Sequence, residues 1–216
     1  MSTSHPRNQP HHPRNLAIAA VLAGCGLGFG TTTADATVQV SARTARTANT
    51  AKPSVDPNAP EVLSPGDIPD NVAFVPYRPA SGGFTLTTPE GWSRRIIATG
   101  AAFTDKYNII QVESFTGRTA PTPASATLTV TTTMAKSKGF KFGKASTVKR
   151  KADSAVLVTY LVNSVPNAVT GKTLPVAVER YEFFRQGTSV VLTLSGAKGA
   201  DNVDPWRTVT DSFRWV

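Results

Sequence analysis

Residues 83–92 read GFTLTTPEGW, and this stretch decides the fold. Residues 84–87 form an aromatic and β-branched run bounded by Gly83 and Pro89, which reads as a strand. Pro89-Glu90-Gly91 interrupts the run as a turn. A second strand then runs through WSRRII, residues 92–97. Further on, AAFTD (101–105) and NIIQVESF (108–115) form a hairpin, with Lys106-Tyr107 at its turn. FKFGKASTVKR (140–150) and AVLVTYLVN (155–163) form another, joined through Lys151-Ala152-Asp153. PVAVERYEFFRQGTSVVLTLSG (175–196) is a long hairpin that turns at Gln186-Gly187.

Two segments read as helices. In DPWRTVTDSFRWV (204–216), Asp204 suits an N-cap and Pro205 the first helical position. Trp206, Val209 and Phe213 would then share one face. PASATLTVTTTMAKSK (123–138) is ambiguous, because its threonines and valine favour strand. Pro123 at the start, Lys136 and Lys138 at the end and Gly139 just beyond tip the reading to helix. The order of elements gives an α+β fold, an antiparallel β-sheet flanked by helices.

GFTLTTPEGW, FTDKYNIIQVES (103–114) and WRTVTDSFRW (206–215) resemble the PsbP-like fold, which includes photosystem extrinsic subunits and LpqN-type actinobacterial lipoproteins. The resemblance spans roughly residues 77–215 and implies an α/β/α sandwich. It implies that the Pro-x-Gly-Trp strand opens the sheet, that DKYN precedes a central strand, and that the last helix packs its Trp and Phe beneath. It carries over no catalytic residues, and it implies a binding or assembly module.

The N-terminus speaks of address. Residues 1–15 are polar and carry Arg7 and Arg14 with no acid, and residues 16–24 are apolar or small. This is the layout of a secretory signal peptide, and the apolar run is too short for a spanning helix of about 20 residues. Leu22-Ala23-Gly24-Cys25 resembles a bacterial lipobox. The resemblance implies cleavage before Cys25 and diacylglyceryl (palmitate-type) acylation of its thiol. Two or three acyl chains hold firmly where one binds marginally, since each buried methylene contributes about 0.8 kcal/mol. Ala34-Asp35-Ala36 offers a rival cleavage site that would release a soluble protein, and a retained signal anchor is the third alternative. Residues 26 to about 70 are rich in Thr, Ala, Ser and Pro with no sustained periodicity, which reads as a disordered tether. The expected organisation is a signal peptide at 1–24, acylated Cys25 with its tether to 71, and a folded domain from 72 to 216.

These features exclude chemistry. His5, His11 and His12 are the only histidines, and all lie ahead of the expected cut, while Cys25 is the only thiol. The mature chain would have no imidazole and no free thiol, which removes Ser-His-Asp and Cys-His nucleophiles and Cys/His zinc sites. Ser146-Thr147-Val148-Lys149 has the S-x-x-K spacing of penicillin-recognising enzymes, but it falls in an expected strand. Gly171-Lys172-Thr173 has proline at 166, where a phosphate-binding loop needs glycine. Glu179 and Glu182, three apart on a strand, face opposite sides. Asp201, Asp204 and Asp211 suit capping and solvation rather than calcium. No metal and no cofactor is expected.

The whole charge excess belongs to the domain. Residues 72–216 hold 18 Lys+Arg against 9 Asp+Glu, whereas residues 1–71 hold 5 of each. Lys136, Lys138, Lys141, Lys144, Lys149, Arg150 and Lys151 form a run without an acid. Such a field attracts anions over about 8 Å at physiological salt. Outside the membrane those anions are lipid headgroups or wall polymers rather than nucleic acid. The sequence therefore reads as a non-enzymatic lipoprotein on the outer face of the cell membrane. It would bind an anionic surface or an envelope protein through residues 136–151. The alternative is a small-molecule carrier or enzyme with a pocket between helix and sheet, and a secreted protein if no lipid is attached.

Overall fold

The computed structural model describes residues 66–166 and 171–216. The expected signal peptide, Cys25 and most of the expected tether lie outside the described residues. The described chain runs β1 (Phe74–Tyr77), β2 (Phe84–Pro89), β3 (Ser93–Ile97), β4 (Gly100–Asp105), β5 (Asn108–Phe115), α1 (Pro123–Met134), β6 (Lys141–Lys149), β7 (Ser154–Asn163), β8 (Pro175–Arg185), β9 (Thr188–Ala197), α2 (Val203–Ser212) and β10 (Arg214–Trp215).

Seven strands form one antiparallel sheet in the order β3-β4-β5-β9-β8-β7-β6. The β4–β5, β6–β7 and β8–β9 hairpins are the ones legible in the sequence, and the sheet adds the β3–β4 and β7–β8 pairs. The β8–β9 turn holds Gln186 and Gly187 at φ 47° and 77°, the two positive values that match the twist of a tight hairpin. Joining β5 to β9 is the long-range step that welds two hairpin groups into one sheet.

The opening stretch behaves differently from a simple hairpin. β2 does not pair with β3. It is the middle strand of a separate small sheet, β1-β2-β10. The Pro89–Trp92 corner hands the chain from the small sheet to the edge of the large one.

The register divides the large sheet into two faces, because side chains alternate along each strand. One face presents Phe103, Ile110, Val112, Leu192, Leu194, Tyr181, Phe183 and Leu157. The small sheet and α2 cover it, adding Tyr77, Phe84, Leu86, Trp206, Val209 and Phe213 to one buried cluster. The other face presents Val156, Val158, Tyr160, Val176 and Val178, over which α1 lays Ala126 and Val130. The helices thus lie on opposite faces. The arrangement departs from a plain α/β/α sandwich, because a second sheet shares one layer with α2.

α1 is a helix despite its threonines. Thr122 and Ser125 form a capping box, Pro123 sits in the first turn, and the hydroxyls of Thr127, Thr129 and Thr131 donate to carbonyls four residues earlier. It ends at Met134, so Lys136 and Lys138 fall in the turn that follows. α2 corrects two expectations. Its N-cap is Asn202 rather than Asp204, which lies in the first turn. The helix also stops at Ser212. Phe213 has extended ψ, and Arg214–Trp215 become a strand against Thr85 and Phe84. Phe213 still reaches the core, but from the exit of the helix.

The fold also begins earlier than residue 72. Ile68 is buried, its backbone N–H donates to Asn202 Oδ1, and the Gly66 carbonyl accepts from the side chains of Asn108 and Asn202.

Candidate functional site

The basic run lies along one margin of the molecule. β6 is the terminal strand of the large sheet. Lys136 and Lys138 precede it, Lys141 and Lys144 lie on its first half, and Lys149 and Lys151 close its far end; all six are exposed. Nine residues of strand extend about 30 Å at roughly 3.3 Å each, so the lysines form a strip rather than one patch. Within the strip they also divide by face. Lys141 and Lys144 pair with Leu161 and Thr159 and share the α2 side, whereas Lys149 pairs with Ser154 on the α1 side.

A bulge shapes the strip. The register shifts between Phe142 and Lys144. A Cβ at Gly143 would lie 2.7 Å from the Thr159 carbonyl oxygen, so only glycine lets the two backbones approach. The bulge leaves Phe142 38% exposed among lysines. No lysine ammonium of the strip is in an ion pair with any described residue.

Arg150 stands apart from the run it belongs to in sequence. Its Nη2 donates to the Tyr181 hydroxyl at 2.7 Å and its Nε to Thr210 Oγ1 at 3.0 Å. Its guanidinium carbon sits 4.8 Å from the centre of the Tyr181 ring, and Asp211 lies 3.9 Å from Nε. Arg150 ties β6 to α2 and β8 and has little left to offer a partner. Adjacency in sequence could not reveal this, because the partners are 31 and 60 residues away.

Tyr181 completes that cluster by donating to Glu179 Oε2 at 2.7 Å. Its phenol is pushed well above the usual value by burial first, then by the hydrogen bond to Glu179 and that carboxylate's charge; Arg150 opposes the shift. Tyr160 is raised too, by burial against the opposing charge of Arg180. Above pH about 10 an unfolded tyrosine releases its proton while these folded ones keep theirs, so the unfolded state binds fewer protons and stability falls as pH rises. Urea midpoints measured from pH about 9 to about 11 should therefore decline, and the decline should be shallower in Tyr181→Phe. An equal slope in the variant would mean that the Tyr181 phenol ionises normally in the fold.

The weaker candidates resolve by geometry. Ser146 pairs with Leu157 and Lys149 with Ser154, which places them on opposite faces of β6, out of reach for a nucleophile and its base. Glu179 and Glu182 also face opposite sides, and Glu182 takes a 3.0 Å ion pair from Arg180. Asp211 faces Arg150 and Arg207, the backbone N–H of Asp201 donates to Asp67, and no group of acids among the described residues is arranged for a metal. Gly171-Lys172-Thr173 lies in the β7–β8 connection. A depression of about 140 Å³ is lined by Ala120, Pro121, Thr147, Ser154, Ala155, Val156, Glu182 and Phe184. Pockets that enclose small molecules usually run to about 300–1,000 Å³. No helix among the described residues is long and apolar enough to cross a membrane.

No family model and no curated protein matches the chain. Among solved structures it is similar to cyanobacterial PsbP (CyanoP) from Synechocystis sp., with 14% identity, a TM-score of 0.47, and coverage of 67% of this chain and 94% of that one. It is similar to the Ran-binding protein Mog1p of Saccharomyces cerevisiae, with 12% identity, a TM-score of 0.44, and coverage of 67% and 96%. LpqN of Mycobacterium tuberculosis, a protein involved in cell envelope biogenesis, is similar at 16% identity and a TM-score of 0.42, over 68% and 92%.

Proposed function

We propose that this chain is a non-enzymatic envelope lipoprotein with a PsbP-like domain, held at the outer face of the cell membrane by acylated Cys25. The domain is a binding or assembly module that lays its lysine strip against an anionic lipid surface or wall polymer. One observation carries the reading: six lysines of a seven-residue basic run are exposed along one margin without an acidic partner among the described residues. The seventh, Arg150, is spent on the fold and drops out of the contact set. The plain alternative is that the lysines only protect an edge strand from pairing with another chain.

The strip's geometry sets the size of the effect. Each lysine near an anionic surface contributes roughly 1 kcal/mol. Because the lysines divide between two faces, three or four engage at once, which corresponds to about 100-fold or more in binding. The chain lacking residues 1–30, and so lacking both signal peptide and lipid, should co-sediment with phosphatidylglycerol vesicles at low salt and not with phosphatidylcholine vesicles. Replacing the six lysines with glutamine should abolish this, and Arg150→Gln should not. Binding that survives the six replacements would leave the strip with only its edge-guarding role. Intact mass of the exported chain, beginning at Cys25 with added acyl mass, tests the anchor separately.

A further inference from the structure

The two sheets end in four edges, and three of them are guarded. β6 has its bulge and its lysines. β1 carries Pro76, and β10 is only two residues long. Proline, bulges, lysines and shortness are the usual devices that stop an edge from recruiting another strand. β3 has no proline and no bulge, and its only charged side chains are Arg94 and Arg95. It is regular over Ser93–Ile97, pairs with β4 in unbroken register, and its outer side makes no hydrogen bond to a described residue. Its first four residues are exposed, and Ile96 stands 64% exposed.

The charge on this edge selects the occupant. Arg94 and Arg95 project to opposite faces, since Arg94 pairs with Phe103 and Arg95 with Ala102 on successive positions of β4. Arg94 is held in place by stacking over the Tyr77 ring, 5.3 Å from its centre. A second copy of β3 added antiparallel and centred on Arg94 or Arg95 would set that arginine against its own copy, and like charges directly opposite are destabilising. The same two side chains favour a strand that places an acid on each face.

We propose that the outer edge of β3 is a strand-addition site for an extended acidic segment of a partner protein. Its backbone would complete the ladder, its two consecutive acids would meet Arg95 and Arg94, and an apolar residue would cover Ile96. Main-chain bonds would supply affinity and the charges would supply choice. This site lies at the far margin of the sheet from the lysine strip, so it stands or falls independently of it.

The test uses the isotope-labelled full chain carrying Cys25→Ala and the capped peptide Thr-Ile-Val-Glu-Glu-Thr as probe. In antiparallel alignment its valine meets Ile96 and its glutamates meet Arg95 and Arg94. Titration should shift the amide resonances of residues 93–97 and slow their hydrogen exchange. Changing both glutamates to lysine should weaken binding about tenfold or more, and N-methylation of alternate peptide amides should abolish it. A chain with Arg94→Glu and Arg95→Glu should prefer the lysine peptide. The proposal is overturned if residues 93–97 do not respond, if the N-methylated peptide binds equally, or if the chain self-associates through β3.

Discussion

Phe213→Ala should be the most damaging single truncation in the domain, costing about 3–5 kcal/mol. Phe213 is fully buried. Its ring lies 4.1 Å from Phe183 at 14°, 5.8 Å from Phe84, and 5.1 Å from Trp215 at 86°. These partners come from β8, β2 and β10, so one side chain joins the large sheet, the small sheet and the C-terminal strand where α2 ends. Removing it leaves a cavity that three separate elements would have to close together. Against a domain stability of about 5–15 kcal/mol this is a large fraction. Urea denaturation should show the full loss in the midpoint with little change in slope. Phe142→Ala is the control of equal chemistry: Phe142 is 38% exposed, and its loss should cost under about 1 kcal/mol. A Phe213→Ala cost near that of the control would mean that the three elements are not held through this ring.

Asn202→Leu should follow, at about 2–4 kcal/mol, for a different reason. Asn202 Oδ1 accepts the buried N–H of Ile68 at 2.8 Å, and its Nδ2 donates to Asn108 Oδ1 at 3.0 Å and to the Gly66 carbonyl at 3.1 Å. Leucine has nearly the same shape but strands the Ile68 N–H and Asn108 Oδ1 in a dry interior, and each buried unsatisfied group costs about 1–3 kcal/mol. The damage should be local first. Amide exchange at Ile68 should rise well before that of β5 or β9, and proteolytic cleavage should appear within residues 66–72. If Ile68 stays protected to the level of the central strands, the asparagine pair does not hold this segment down.

Much of the large sheet was legible residue by residue, because its hairpins are local. Lys106-Tyr107 and Gln186-Gly187 sit between β-branched runs, and short-range turn chemistry is written in neighbouring residues. α1 was legible from Pro123 and the position of Lys136 and Lys138, although its threonines argue the other way. The fate of the C-terminus was not. Trp206, Val209 and Phe213 fit one helical stripe, and periodicity cannot tell that β2 has an open edge waiting for Arg214 and Trp215. No local signal marks Asn108 and Asn202, since their partners lie up to 136 positions away. The candidate site divided in the same way: that the basic run is exposed could be inferred from charge alone, but the withdrawal of Arg150 could not.

Composition and local pattern alone determined strands β2 to β9, the helix beginning at Pro123, the charge excess of the domain and the location of its basic run, because propensity, turn chemistry and charge are properties of neighbours. Only the tertiary structure decided that β2 and β3 belong to different sheets, that Phe213 joins three elements, that Arg150 serves the core, and that β3 is left as a regular, unpaired edge. Each of these depends on which distant segments meet, and a buried hydrogen bond or an unpaired strand edge exists only once they have met.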